Sequence, residues 1–499
     1  MPDTILGLDI GTTSTKAILF DLTGRELATA RQDYPLATPH PGWAEQDPEQ
    51  VWQALVSVLQ QVAAQAGAEQ RILALTLAAQ SGSVIPADAH GNPVYPMITW
   101  LDRRTEELAQ QWQAAGLEPR VRRLSGWLLH PGLPLLSISW LRQHQPDIFA
   151  RAARFMSVID FLNHRLTGQF SLDHSSATEM LLLDVATGQW SAELCGLAGI
   201  TPAHLSRLVP SGSVIGPLTA EASRLTGLPP DTRLVSGGHD QCATAMAMGM
   251  TDPGKLMLAT GTAWVITGIT ASPDINAIPA NMDLNFHVAP RRWTVSQLLG
   301  GFGASVEWWL THNLQPPDSV IPRPALFAQV DTLLSESSPG SRGLLFLPPS
   351  GGAQLPHKAM WGGFIGLRLD HTRPDMIRAI LEGAAFEVRW ALAQMKQAGL
   401  PVEQLWVAGG ATQSPVWPQI LADVTGVPLL LTRYGNWPAL GAAILAGWGA
   451  GVFDSPAAGI AQFQRQPQTI EPDPARARFY DEQFAVYRQT ARHIAAVFD

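Results

Sequence analysis

Twice in this chain an apolar run, a short turn of glycine and hydroxyl residues, and a second apolar run follow one another. Ile5, Leu6 and Leu8 lead through Asp9 into Gly11, Thr12, Thr13 and Ser14, and the chain returns through Ala17, Ile18, Leu19 and Phe20. Leu256, Met257, Leu258 and Ala259 lead into Thr260, Gly261 and Thr262, and return through Ala263, Trp264, Val265 and Ile266. Short apolar runs bounded by such residues read as buried strands, so each copy is predicted to be a hairpin. The duplication implies two related α/β domains that face each other. The 499 residues, 46% of them hydrophobic, are ample for two cores. The break at Thr251, Asp252, Pro253 and Gly254 sets the expected domains at residues 1–247 and 248–499.

Between the hairpins the alternation of elements continues. Asp47, Pro48 and Gln50 predict an N-cap, a proline at the first helical position and a capping box. Val51, Leu55, Val58 and Val62 recur at helical spacing before Gly67 closes the helix. Residues 72–77 read as a strand ending at Gln80, Ser81 and Gly82, and residues 233–235 as a strand running into a glycine-rich turn at Gly237 and Gly238. In the second half a helix over residues 375–399, a strand over 405–408 feeding Gly409 and Gly410, a helix over 415–425, a strand over 427–431 and a small-residue helix over 439–446 are predicted. The proline-rich residues 316–324 read as a loop, and Trp308, Trp309, Trp390, Trp406 and Trp417 as core or interface.

A net charge of -9 without a Lys/Arg cluster argues against a nucleic-acid partner. No apolar run approaches the roughly 20 residues of a membrane helix, and no basic segment precedes an apolar one at the start. No membrane association and a cytoplasmic location are therefore expected. Cys195 and Cys242 lack any paired spacing and are expected to be reduced core residues.

The first turn carries chemistry if it meets an anion. A glycine lets backbone approach phosphate, N–H groups and hydroxyls bond its oxygens, and a carboxylate at the strand end can hold Mg2+ through water. Asp9, Gly11, Thr12, Thr13, Ser14 and Lys16 supply that set, although an ordinary hairpin tip has the same residues and the spacing is not that of a Walker A loop. Gly261 and Thr262 offer a second such turn, and Gly409, Gly410 and Ala411 a third at a strand end.

Two further stretches carry a family resemblance. Gly362, Gly363, Phe364, Ile365, Gly366 and Leu367 are followed at a set interval by Asp375, Met376, Ala379, Ile380, Leu381 and Glu382. Earlier come Gly132, Leu133, Pro134, Ile138, Ser139 and Trp140. Together with the turns, over essentially the whole chain, these resemble the FGGY family of carbohydrate kinases. Ser137 stands where that pattern usually has lysine, a departure expected to weaken one surface or inter-element contact. The resemblance implies two actin-like (ribonuclease H-like) domains facing across a catalytic cleft, ATP and Mg2+ as cofactors, and a small sugar or polyol as the acceptor. It puts Thr12, Thr13 and Ser14 at the ATP phosphates with Lys16 nearby, Asp9 at Mg2+, and Gly261 and Thr262 in the opposing turn. It puts Gly303 and Glu307 against the nucleotide, and Gly410 and Ser414 beside adenine and ribose.

Asp240 is the expected general base and a further Mg2+ ligand. Phosphoryl transfer asks a protein mainly for alignment, charge neutralisation and a proton acceptor, and a carboxylate at a strand end beside a cleft suits the last role. A helix N-cap is the alternative for Asp240, and His239 is expected to pack beside the base. Trp100 and Asp102 resemble the family's sugar-site segment, with a surface Asp–Arg cluster capping a helix as the plainer alternative. Gln80, Ser81 and Gly82 occupy the loop where xylulokinases have a histidine and glycerol kinases an Arg–Glu pair, and both are missing here. Gln241 is expected at a substrate hydroxyl. The expected activity is transfer of the ATP γ-phosphate to a pentulose such as xylulose, with gluconate or another polyol as the alternative. An actin- or Hsp70-like ATPase switch is the reading from a different class, and a homodimer is compatible with all of these.

Overall fold

The computed structural model describes residues 2–67, 70–315, 321–348 and 362–497. Its first sheet is built from β1 (Asp3–Ile10), β2 (Ser14–Asp21), β3 (Glu26–Asp33), β4 (Arg71–Ala79), β5 (Val214–Pro217) and β6 (Arg233–His239). They lie in the order β5-β6-β4-β1-β2-β3. The second sheet contains β7 (Gly254–Thr260), β8 (Trp264–Thr270), β9 (Asp283–Phe286), β10 (Trp293–Gly300), β11 (Val402–Gly409), β12 (Leu429–Leu431) and β13 (Gln468–Ile470), in the order β9-β10-β8-β7-β11-β12-β13.

The duplication read from the hairpins extends to the whole sheet. In each, the first strand pairs antiparallel with its hairpin partner (β1 with β2, β7 with β8) and parallel with a later strand (β4, β11). A second parallel strand follows (β6, β12), then an antiparallel edge (β5, β13). Parallel central strands are covered on both faces, which is why β1 and β4 are apolar along nearly their full length. The carboxyl ends of β1, β4 and β6 lie side by side, with Ile10 and His239 both in register with Ala79.

The helices that matter for the site are α1 (Pro48–Ala66), α2 (Pro134–His144), α3 (His174–Thr178), α4 (Asp240–Ala247), α5 (Phe302–Asn313), α6 (Arg323–Glu336), α7 (Arg373–Gln397), α8 (Trp417–Thr425), α9 (Trp437–Gly449) and α10 (Pro474–Val497). α1 starts as expected at Asp47 and Pro48 and stops at Gly67, with Val51, Leu55, Val58 and Val62 fully buried. Its cap differs in detail: the Asp47 carboxylate accepts from Glu49 N at 2.9 Å, so Gln50 completes no capping box. The residues of the C-terminal signature turn out to be internal struts. Asp375 accepts from Thr372 N at 3.0 Å and from Ser337 Oγ at 2.9 Å, and Glu382 from Gly340 N, Ser341 Oγ and Tyr480 Oη.

α9 follows the second sheet in sequence yet packs on β1, β4 and β6 of the first, and against α4. Its small residues permit this: a methyl on Gly441 would lie 2.2 Å from the Ala243 carbonyl oxygen, and one on Gly7 of β1 1.9 Å from that of Ala439. One apolar cluster here joins Ile5 and Val235, Met246 of α4, Met257 of β7 and Trp406 of β11. The two halves are thus held together at the α4–α9 pair, and each keeps its own larger core.

Four expectations are corrected. Gly237 and Gly238 lie within β6 at a register shift and form no turn; their bareness lets the strand press on Leu77 of β4 and on Val288 and Ser175. Ser137 is fully buried on α2 and donates to the Gly132 carbonyl at 3.1 Å, so the missing lysine costs no surface contact. Trp308 is 48% exposed, unlike Trp309, Trp390, Trp406 and Trp417, because it stands on the outer face of α5. Of the proline-rich stretch, residues 316–320 lie outside the described residues, and Pro324 is already in α6. Cys195 and Cys242 are buried and unpaired.

Candidate active site

The first turn is tight, with Gly11 N donating to the Ser14 carbonyl at 2.9 Å. Gln46 Nε2 donates to the Thr12 carbonyl at 2.5 Å, and Gln80 Nε2 to Gln46 Oε1 at 2.8 Å. Gln80 therefore supports the turn from behind, through a residue that nothing in the sequence singled out. Trp100, nearly half exposed, donates its indole N–H to Thr12 Oγ1 at 3.2 Å. The segment expected at the sugar and the turn expected at phosphate are in direct contact.

Asp102 is different. It is fully enclosed, and its oxygens accept from Ala44 N at 2.7 Å and from Arg104 Nε and Nη2 at 2.9 and 2.8 Å. Arg104 also pairs with Glu45 and stacks over the Trp43 ring. The expected substrate contact of Asp102 is replaced by a buried anchor beneath the Trp100 segment.

β6 delivers Asp240 to the end of β1. It is the first residue of α4; His239 is the N-cap and no side chain caps the helix, so the capping alternative for Asp240 does not describe its geometry. Its carboxylate is 27% exposed and accepts from His239 Nε2 at 3.1 Å. The other imidazole nitrogen, Nδ1, donates to Glu179 Oε1 at 2.7 Å. Burial would lower the basicity of His239, but the Glu179 carboxylate and the Asp240 hydrogen bond outweigh it and hold the imidazole well above its ordinary pKa. Glu179, at the end of α3, escaped the sequence reading because a single glutamate on a five-residue helix has no pattern. Its position follows from α3 docking on β6, where His239 N donates to Ser175 Oγ at 2.9 Å. Gln241 is the next residue of α4 and is half-buried.

Asp9 lies beside this group. Burial, and then the neighbouring Asp240 carboxylate, push its carboxyl up to about 7, against the opposing pull of Lys16 and Arg31. The two carboxylates offer hard oxygen donors to a divalent cation, which would relieve the repulsion that Asp9 feels. Among the described residues no group of three or more His, Cys, Asp or Glu is arranged to hold a metal by itself. The remaining ligands would be phosphate and water oxygens, as suits Mg2+. Lys16 Nζ donates to Asn436 Oδ1 at 2.8 Å and so ties the first hairpin to the start of α9.

On the other half, the turn at Gly261 and Thr262 is exposed and packs against α5. A methyl on Gly303 would lie 2.1 Å from the Gly261 carbonyl oxygen, and Ala304 N donates to the Thr262 carbonyl at 3.2 Å. Gly409, at φ +103°, would bring a methyl to 2.8 Å from the Thr260 carbonyl oxygen, and Gly410 follows it at 3.4 Å. Thr260 Oγ1 accepts from Ala411 N at 3.1 Å. Three stretches far apart in sequence, at Gly261, Gly303 and Gly410, thus form one glycine-lined surface. Glu307 lies one turn along α5. Ser414 is the exception: it is buried, its hydroxyl donates to Asp331 Oδ1 at 2.5 Å and accepts from Val416 N and Trp417 N. That hydroxyl is thus committed to Asp331 and to the start of α8.

Known proteins share this fold. Residues 4–247 match the N-terminal domain, and residues 255–450 the C-terminal domain, of the FGGY family of carbohydrate kinases. The xylulose kinase of Escherichia coli (strain K12) is 30% identical over 88% of this chain and 89% of its own length. The gluconokinase of Bacillus subtilis (strain 168) is 28% identical over 91% and 89%. The crystal structure of xylulose kinase from Rhodospirillum rubrum superposes with a TM-score of 0.92 at 31% identity, covering 99% of both chains.

Proposed function

Given that the chain belongs to the FGGY family of carbohydrate kinases, we propose that it moves the γ-phosphate of ATP to a hydroxyl of a pentulose resembling xylulose, with Asp240 as general base. The observation that carries the reading is the hydrogen bond from Trp100 to Thr12, which sets an exposed aromatic face against the first phosphate turn. A sugar stacked there has its hydroxyls next to that turn and within the space that Asp240 borders.

In this reading residues 1–247 hold the acceptor and the first turn, and residues 248–499 hold the nucleotide. Thr12, Thr13 and Ser14 receive the transferring phosphate from one side and Gly261 and Thr262 from the other, while Gly303 and Gly410 line the nucleotide's path. Asp240 takes the hydroxyl proton as the oxygen attacks phosphorus, and the imidazole of His239 keeps the accepting carboxylate in place. Asp9 and Asp240 would hold Mg2+, which when bound supplies positive charge against the phosphate oxygens. Closure of the halves about the α4–α9 pair would exclude water from the transfer. Among the described residues no helix is long and apolar enough to cross a membrane.

The likeness to a gluconokinase supports a second reading, in which the acceptor is an aldonate. Release of ADP, measured with MgATP against pentuloses, hexuloses, alditols, glycerol and aldonates, separates them. A pentulose is expected to give the highest kcat/KM. Absence of stimulation by any acceptor would defeat the proposal.

A further inference from the structure

The side chain of Glu179 has two oxygens in different situations. Oε1 is taken by His239 Nδ1 at 2.7 Å, with Asn285 Nδ2 of β9 at 3.5 Å. Oε2 has no hydrogen-bond partner among the described residues. The side chain is only 8% exposed, so little of it meets bulk water. It borders the space that Gly82 leaves: a methyl on Gly82, at φ +72°, would lie 3.7 Å from Glu179 Oε2 and 3.2 Å from Trp100 Cβ. An unpaired carboxylate oxygen beside the exposed indole calls for a hydrogen-bond donor from a bound molecule.

Its distance from the reacting end is set by His239. The contacts of 2.7 and 3.1 Å, joined by the ring, keep the facing oxygens of Glu179 and Asp240 within roughly 8 Å of each other. That is about the reach of an extended five-carbon sugar. Resting on the reading of Asp240 as the base, we infer that Glu179 binds the far end of the acceptor, accepting a hydrogen bond from a terminal hydroxyl, and that it selects uncharged ketoses against aldonates. An aldonate has a carboxylate where a ketose has its terminal hydroxyl; it has no proton to give there and meets a like charge. Nearby positive charge does not reverse this. The His239 imidazolium is shared between the Glu179 and Asp240 carboxylates, which leaves that trio net negative. Arg104 is fixed by Asp102 and Glu45, His130 pairs with Asp283, and Arg103 is exposed.

The test is Glu179→Gln, which keeps shape and an acceptor for His239 while removing the charge. Steady-state kinetics with D-xylulose, L-xylulose and gluconate are compared with the melting temperature of the nucleotide-free protein in each sugar. For the wild type, the better xylulose is expected to exceed gluconate in kcat/KM. In the variant that ratio should fall by about tenfold or more, mainly through KM. A residue that merely supported the fold or His239 would lower all acceptors together and leave the ratio unchanged, and that result overturns the inference. So does a wild type that prefers gluconate. If no acceptor releases ADP, the kinase reading above fails separately. The melting shifts still decide this one: a xylulose-induced rise lost in Glu179→Gln sustains it, and an equal rise with gluconate, or none with any sugar, refutes it.

Discussion

Replacing Gly303 by alanine tests whether the glycine-lined surface on the second half binds nucleotide. The added methyl would sit 2.1 Å from the Gly261 carbonyl oxygen and 3.1 Å from Thr262 Cα. Carbon and carbonyl oxygen settle at roughly 3.3 Å, so α5 and the turn must part by about 1 Å. Overpacking of this kind destabilises by about 1–3 kcal/mol, and a shift of about 1 Å in groups that position a reactant costs about a hundredfold in rate. The assay varies ATP at saturating sugar and sugar at saturating ATP, with Gly363→Ala as control, since a methyl there meets nothing within 4 Å. Gly303→Ala should lower kcat/KM for ATP by about a hundredfold while sugar KM stays near wild type. If the variant melts normally and uses ATP as well as the control does, the turn at Gly261 and Thr262 is not a phosphate site.

Two further outcomes concern stability. Asp102→Ala strips Arg104 of its main partner in a buried cluster and should destabilise by about 3–5 kcal/mol, read as a lower melting temperature, with sugar KM little changed in the folded fraction. A large KM rise at normal stability would return Asp102 to the substrate. Glu387 is buried against Tyr487 Oη at 2.8 Å, and burial pushes its carboxyl up to about 7. A raised folded-state pKa means stability is full below the usual carboxylate range and is lost as pH rises through about 7. Glu387→Gln should therefore gain on the wild type at pH 8, by on the order of 3 kcal/mol, and gain little at pH 4. Melting curves that stay parallel across that span would contradict the assignment.

What the sequence made legible was local. Hairpins, the proline start of α1 and the glycine stops depend on backbone preferences within a few residues, and they lie where the residues predict. The site needed non-local information. Asp102 looked like a ligand because it follows Trp100, but only the fold brings Glu45 and the Ala44 amide to it. Ser414 looked available until α6 brought Asp331 against it. Glu179, Gln46 and Asn285 carry no motif and reach the site through strand register and the docking of α3 on β6. The path of α9 onto the first sheet was equally hidden, since the contact of Gly7 with Ala439 joins residues from opposite ends of the chain.

The central claim is that Asp240 takes the proton of the acceptor hydroxyl, and Asp240→Asn addresses it most directly. The amide keeps the size of the side chain and an oxygen for His239 but cannot accept that proton. Turnover, ATP affinity and melting temperature are to be measured on one preparation. The account predicts a normally melting protein that binds ATP nearly as the wild type does and turns over about a hundred- to ten-thousandfold more slowly. Turnover within a few-fold of wild type in that same protein would contradict it, leaving phosphate positioning by Thr12, Thr13 and Thr262 to carry the reaction.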